Sequence, residues 1–302
     1  MLTYDDWKRA VVHLEGQVDA RSQEERDAIG ARISQFVSSG REPSDEDLRD
    51  DGRNVWGRGT AVFLIRDGRR YLVTARHVLT DRGLAELLLR RLGEPSEEYL
   101  DRWIWPMIFQ IPSISDLAAG RDVGKQTFLM NLSAGVMESS SYLYSSPSED
   151  LAVISLDQHN PAFANELESR GFVPIGTDEV TTGPSKEGAE VYSVGYPDSV
   201  AVLGEVPLDP GQRAWASATL SSPVGSWGRV AMQHEALNYF WADISVYPGN
   251  SGGPIIEDGK LVGIVSAQAT VEGSGVPFAK IMNAGLIDSL IKAQAAKDSR
   301  QY

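Results

Sequence analysis

Tyr247-Pro248-Gly249-Asn250-Ser251-Gly252-Gly253-Pro254 is the stretch on which the reading of this chain turns. A serine hydroxyl is a poor nucleophile at neutral pH and needs a base beside it. Acyl transfer also needs backbone N–H donors aimed at the developing oxyanion. Glycines around a serine let the chain turn sharply and clear side chains from the path of an incoming carbonyl. In such a turn Gly249 and Ser251 can offer two convergent N–H groups. The same letters also describe an ordinary Gly-Pro turn between strands, and alone they do not separate the two readings.

The surroundings of the turn are β in character. Asn238 to Val246 reads as a strand before it, and Ile255-Ile256, Leu261 to Ser266 and Val276 to Ala279 as strands after it. Ala189 to Val194 leads into a Gly195-Tyr196-Pro197 turn. The periodicity of Leu286, Ile287, Leu290 and Ile291 predicts a closing helix over 283–297. Further upstream, Thr60 to Ile65 and Arg70 to Ala75 flank the turn pair Asp67-Gly68. Trp103 to Ile111 and Leu151 to Leu156 read as two more strands, and Leu84 to Leu92 as a helical turn or two ending at Gly93. Trp7 to Glu15 reads as a short strand. Ile29, Ile33, Phe36 and Val37 recur at three- and four-residue steps, which predicts an amphipathic helix over 20–39. A helix start at Pro43-Ser44-Asp45 fits there too, so 17–55 reads as a helical insertion or loop. Many short strands between Gly and Pro turns point to closed or sandwich β structure.

Two other stretches bear on the serine. Thr74-Ala75-Arg76-His77-Val78 places a histidine just past an apolar strand, where a loop can hold it rigidly. Of the other histidines, His13 belongs to a strand, and His159 and His234 lie in polar stretches. Ser148-Glu149-Asp150-Leu151-Ala152-Val153 places Asp150 at the mouth of an apolar strand, where a carboxylate can be partly buried and can orient an imidazole. Asp157, at the strand's other end, is the weaker candidate. The order is His77, Asp150, Ser251, with separations of 73 (150 minus 77) and 101 (251 minus 150) residues. That is one of the chain orders known for hydrolytic triads.

Composition removes several other functions. The chain has 302 residues with 42% hydrophobic and 23% charged content, enough for a core without staples. It has no cysteine, which forbids disulfides and thiolate metal sites and fits a reducing compartment. The net charge of −14 disfavours phosphate backbones and anionic lipids, so neither nucleic-acid nor membrane partners are expected. No basic segment followed by an apolar run opens the chain, and no stretch of about 18 apolar residues exists. The expected location is therefore the cytoplasm. Neither Gly57-Arg58-Gly59 nor the Gly249–Gly253 turn has the Gly-Lys-Ser/Thr ending of a nucleotide-binding loop. No metal and no cofactor are expected.

The three stretches together resemble the trypsin-like serine proteases, and most closely the HtrA-type subgroup. Thr74-Ala75-Arg76-His77-Val78 is similar to their Thr-Ala-x-His-Val motif, and Asp150-Leu151-Ala152-Val153 to their Asp-Leu-Ala-Val strand. Ala242 to Pro254, Leu261 to Val265 and Gly275 to Ala279 resemble the HtrA version of the nucleophile region. The resemblance covers roughly residues 57–80, 148–156 and 188–290, with Ala10 to Leu14 as the opening strand. It implies an all-β core of two six-stranded antiparallel barrels, chymotrypsin-like, with an N-terminal helical insertion and a C-terminal helix. The division would be 1–56 (strand and insertion), 57–184 (first barrel, with His77 and Asp150) and 185–302 (second barrel, with Ser251, and the helix).

The implied activity is that of a serine endopeptidase working through an acyl-enzyme. His77, Asp150 and Ser251 would be catalytic, with Gly249 and Ser251 as the oxyanion hole. Ser266, Ala267 and Gln268 would pair with the backbone of a protein or peptide substrate. Ser245, Val246 and Tyr247 would line the pocket for the residue before the scissile bond.

This sequence departs from the family pattern in places. Ser245 is not aspartate, which argues for a small or medium apolar residue in that pocket. Asn250 is not aspartate, so activation by a buried ammonium–carboxylate pair is not expected. Only 51 residues (302 minus 251) follow the serine, too few for a PDZ domain. The alternative is a latent or inactive binding or scaffold protein on the same fold, dependent on a regulatory partner.

Overall fold

The computed structural model describes residues 1–19, 23–40, 54–80, 86, 103–104, 107–112, 125–130, 135–136, 142–146, 148–158, 160–197, 205–207, 219–271 and 274–300. The expected helical stretches at Pro43-Ser44-Asp45 and within 84–92 lie outside the described residues, apart from Glu86, which is helical. His159 is also outside them.

Ten strands precede residue 177: β1 (Val11–Asp19), β2 (Asn54–Arg66), β3 (Arg69–Thr74), β4 (Trp103–Ile104), β5 (Met107–Pro112), β6 (Lys125–Met130), β7 (Gly135–Val136), β8 (Leu143–Ser145), β9 (Ala152–Ser155) and β10 (Ile175–Gly176). Eight follow: β11 (Glu190–Gly195), β12 (Glu205–Pro207), β13 (Thr219–Ser221), β14 (Val224–Met232), β15 (Tyr239–Asp243), β16 (Pro254–Glu257), β17 (Lys260–Val271) and β18 (Ser274–Asn283). The helices are α1 (Tyr4–Ala10), α2 (Gln23–Ser39), α3 (Arg76–Leu79), α4 (Pro161–Ser169) and α5 (Leu286–Asp298). The first half forms a sheet in the order β6-β5-β1-β2-β3-β9-β8, with β10 added parallel to β2. The second half is a closed antiparallel barrel in the order β11-β14-β15-β18-β17-β16. The mostly β fold agrees with the patterning, and the closed six-stranded barrel and C-terminal helix with what the family resemblance implies, while among the described residues the first half is an eight-stranded sheet in place of a closed six-stranded barrel.

The period of two along β2 explains how the halves meet. Ala61 and Phe63 face one way and join Val12, Leu14, Leu72 and Ile154 in the core of the first sheet. Val62 and Leu64 face the other way. They join Trp7, Val194, Tyr196, Ile264, Ile287 and Leu290 in a second core, which is the seam between the halves. The barrel keeps its own interior of Val191, Phe240, Ile255, Val262 and Ile281. A strand apolar on both faces is what a position between two cores demands.

The hairpins follow local chemistry. Asp67 and Gly68 both have positive φ (50° and 73°), the twist-matched two-residue turn that joins β2 to β3. Asp258-Gly259 repeats it between β16 and β17 (48° and 75°).

Two expectations change at the edges of elements. Trp7 to Ala10 is helical, and the strand begins only at Val11. The cause is a capping box: Thr3 Oγ1 accepts from Asp6 N while Thr3 N donates to Asp6 Oδ2, which fixes a first turn that β propensity cannot overcome. Helix α4 was not anticipated, although Asn160 caps it (Phe163 N to Oδ1, 3.0 Å) and Pro161 opens it.

The chain ends cross over. Helix α1 runs into the first sheet, yet its Trp7 Nε1 donates to Gly259 O in the second half (3.3 Å). Helix α5 leaves the barrel and packs on β8 and β9. There Ser155 Oγ donates to Asp298 Oδ2 (3.0 Å) and Lys297 Nζ to Leu143 O (3.2 Å).

Candidate active site

Strand β3 ends at Thr74, and the short helix α3 carries His77 out of the sheet. Asp150 lies just before β9, which pairs with β3, so the two side chains meet at one end of the sheet. Asp150 Oδ1 accepts the backbone N–H of His77 (3.0 Å), and Oδ2 faces His77 Nδ1 at 2.8 Å. Ser266 Oγ, from β17 of the other half, donates to the same Oδ2 (2.6 Å). An ionised carboxylate only accepts, so in the neutral imidazole Nδ1 is the nitrogen that bears the proton and Nε2 the one with the lone pair. Burial pushes the Asp150 carboxyl up. The hydrogen bond and charge of His77, with the Ser266 hydroxyl and the His77 amide, outweigh it and hold the carboxyl below the ordinary aspartate value.

Ser251 sits on a turn built from backbone. Asn250 N donates to Tyr247 O (3.0 Å) around Pro248 and Gly249, and Gly249 has φ 91°, so Tyr247–Asn250 is a type II turn. Gly252 follows at φ 85°. Its N–H goes to Val265 O (2.8 Å), Gly253 N to Asn250 O (2.9 Å), and Val265 N returns to Gly253 O (2.9 Å). Among the described residues, the N–H groups of Gly249 and Ser251 donate no hydrogen bond, whereas those of Asn250, Gly252 and Gly253 all do.

The turn is pressed against the first sheet. Thr60 N donates to Ser251 O (2.8 Å) and Thr60 Oγ1 to Gly249 O (2.9 Å). A Cβ on Gly252 would stand 2.0 Å from Thr60 O and 3.0 Å from Ala75 N, two residues before His77. Only glycine allows this approach. Ser251 therefore lies beside the strand end that presents His77. Among the described residues no hydrogen bond joins Ser251 Oγ to His77. Unliganded sites often hold this contact loose.

Of the other candidate residues, Ser266 is bonded to this centre and the rest are engaged or placed elsewhere. Ser266 is buried and turned to Asp150, while Ala267 is exposed and Gln268 half-buried, its Nε2 donating to Val276 O (3.3 Å). Ser245 and Tyr247 are exposed, and Val246 belongs to the barrel core. Asp157 is engaged elsewhere, accepting from Arg70 N (2.6 Å) and Arg70 Nε (2.9 Å) at the far end of β9. His13 is buried in β1, its ring 5.0 Å from that of Tyr196, and His234 Nδ1 accepts from Ala236 N. Among the described residues no cluster of His, Asp and Glu has the makings of a metal site. Likewise no helix among them is long and apolar enough to cross a membrane.

One participant, and the role of another, escaped the sequence. Thr60 looks like any β-branched strand residue, and nothing in Ser266 announces a carboxylate partner 116 positions away. Chemically, the site offers a hydroxyl on a glycine turn, an imidazole tethered to an ionised carboxylate, and two N–H groups without acceptors.

A trypsin-like peptidase domain matches residues 59–264 of the chain. That span is well over half of its length, and the protein belongs to the trypsin-like peptidase family. No curated protein matches. Among solved structures, the chain is similar to the HtrA-type protease AlgW bound to a decapeptide, with 16% identity and a TM-score of 0.48 over 97% of this chain and 66% of that one. It is also similar to an inactive mutant form of Rv3671c from M. tuberculosis H37Rv, with 14% identity and a TM-score of 0.46 over 97% and 89%. The chain thus spans about two thirds of AlgW.

Proposed function

We propose that the protein is a serine endopeptidase whose nucleophile is Ser251. The carrying observation is that His77 and Asp150 are joined by two hydrogen bonds beside a type II turn on which the amides of Gly249 and Ser251 have no acceptor. Ser251 Oγ attacks the scissile carbonyl, and His77 Nε2 takes its proton. Asp150 holds the imidazole by Nδ1 and stabilises it once charged. The N–H groups of Gly249 and Ser251 receive the oxyanion. The imidazolium then protonates the leaving amine, and water, deprotonated by His77, releases the acyl group from Ser251. Ala267 is exposed, and the pairing of β17 with β16 ends at Ile264, which supports an extended peptide as substrate, bound as an added strand.

A second reading rests on the missing Ser251–His77 hydrogen bond. In it the protein is latent, or a binding scaffold, until a partner orders the site. One experiment separates the two. Wild type and Ser251→Ala are treated with a fluorophosphonate probe and a casein substrate, with and without cell lysate. The protease reading expects labelling and cleavage by wild type alone, and the loss of both in Ser251→Ala. Undiminished turnover by Ser251→Ala sinks it, and labelling only in lysate decides for latency.

A further inference from the structure

The seam between the halves is largely apolar, and Thr60 brings a hydroxyl into it. Thr60, Val62 and Leu64 share a face of β2, and Val62 and Leu64 are fully buried in the seam core. Thr60 is just as buried, yet it brings a hydroxyl where an aliphatic side chain would fill the same space. A buried hydroxyl is tolerated only when it is hydrogen-bonded, and this one is bonded twice. Oγ1 donates to Gly249 O (2.9 Å) and accepts from Tyr196 N (3.0 Å). Its backbone is used as fully: N donates to Ser251 O (2.8 Å), and O accepts from Thr74 Oγ1 (2.7 Å).

These bonds fall on particular peptide planes of the nucleophile turn. The Gly249–Asn250 plane is held at both ends, its O by Thr60 Oγ1 and its N–H by Tyr247 O. The Ser251–Gly252 plane is also held at both ends, its O by Thr60 N and its N–H by Val265 O. Peptide units are planar, so fixing two alternate planes leaves the unit between them little freedom. That unit carries the Ser251 N–H, and the residue leading into the pair is Gly249. Of the two amides without acceptors, that of Ser251 lies between the clamped planes and that of Gly249 lies in the plane just before the first of them.

From this geometry we infer that Thr60 is a positioning residue of the first sheet that sets the oxyanion-binding conformation of the turn in the second. The inference rests on the peptidase reading above. Thr60 touches no substrate and acts through Gly249 and Ser251. The clamp ties activity to the closeness of the two halves, because a seam that opens by one hydrogen-bond length frees Gly249 O and Ser251 O together.

Thr60→Val keeps the shape and the backbone bonds and deletes only the hydroxyl. Thr60→Ser restores the hydroxyl. Gly195→Ala approaches the clamp from the other side, since a Cβ there stands 3.1 Å from Thr60 Oγ1 and 3.2 Å from Asn250 Oδ1. Peptide hydrolysis is measured per active site titrated with the fluorophosphonate probe, with Tm recorded for each variant. Losing an oxyanion donor outright costs roughly 10²–10³-fold in kcat, so a loosened donor pair in Thr60→Val is expected to cost about 10- to 100-fold. KM stays within about twofold, and Thr60→Ser recovers kcat to within about threefold, because only transition-state stabilisation is affected. Weaker inhibition by a peptide boronate, whose adduct needs the same amides, accompanies the loss.

Wild-type kcat in Thr60→Val, or no recovery in Thr60→Ser, overturns the assignment while leaving the peptidase reading intact. A folded wild type that neither labels nor cleaves overturns both. Should Thr60→Val not fold, Gly195→Ala decides: an unchanged kcat rejects the clamp, and a lowered kcat at unchanged KM supports it.

Discussion

The two sides of the candidate site are held in opposite ways. On the first sheet His77 and Asp150 are fixed by side chains, through the Nδ1 contact and the hydroxyl of Ser266. On the barrel side Ser251 is fixed mainly by backbone, through a type II turn, reciprocal bonds to Val265 and the Thr60 amide, with the Thr60 hydroxyl added at Gly249 O. The difference decides what can damage each side. The side-chain half is vulnerable to a change of one functional group or of pH. The backbone half has no titrating group in its hydrogen bonds and is vulnerable to an atom added at Gly252.

The largest effect expected on the side-chain half comes from Asp150→Asn. An amide can accept from Nδ1 or donate to it, so the imidazole loses its enforced tautomer, and kcat is expected to fall by about 10⁴-fold with little change in KM. Steady-state kinetics checks this, and a loss below about tenfold would detach Asp150 from the mechanism. Next comes Gly252→Ala on the backbone half. The new Cβ meets Thr60 O at 2.0 Å in a backbone with φ 85°, so the turn must leave the sheet. The expectation is a loss of at least about 10²-fold in kcat. A fall of several degrees in Tm accompanies it, reflecting roughly 1–3 kcal/mol of strain. Retained activity would show that the tight approach is dispensable.

The smallest effect sharpens the contrast in pH. Asp150 and Asp157 both titrate below the ordinary value of about 3.9, each raised by burial but lowered further, by His77 and Ser266 or by Arg70. A depressed folded pKa gives stability that is full above the unfolded value and lost as pH falls through the folded one. Asp157→Asn should therefore flatten the acid limb of the stability curve below about pH 4, yet leave kcat at neutral pH within about twofold. Chemical denaturation from pH 2 to 7 reads the first and kinetics the second. A large loss of kcat would mean that the far end of β9 communicates with the site.

How much of this was legible in the chain follows the same divide. Motifs that depend on near neighbours were readable. Asp67-Gly68 predicts its hairpin, the glycines around Ser251 predict a turn, and the apolar run before His77 predicts β3. Local competition hid others. Thr3 and Asp6 form a capping box that turns Trp7 into a helix residue, although Trp7 to Glu15 reads as strand by composition. What could not be read was partnership across the seam. Thr60 looks like one more β-branched residue, because its importance comes from Gly249 and Ser251 about 190 positions later. Ser266 likewise reads as a residue for substrate contact, and its hydroxyl is turned to Asp150.

The crossed ends of the chain have a consequence for both sides of the candidate site. Trp7 belongs to an element that begins the first sheet, and Ile287, Leu290 and Ile291 to one that ends the barrel, yet all four are buried in the shared seam. Each half thus wears part of the other as its own covering. To peel away either terminus is to bare large apolar side chains of both, at roughly 1.5–3 kcal/mol for each side chain exposed. Helices α1 and α5 act as the clasp that holds the two halves together across the seam.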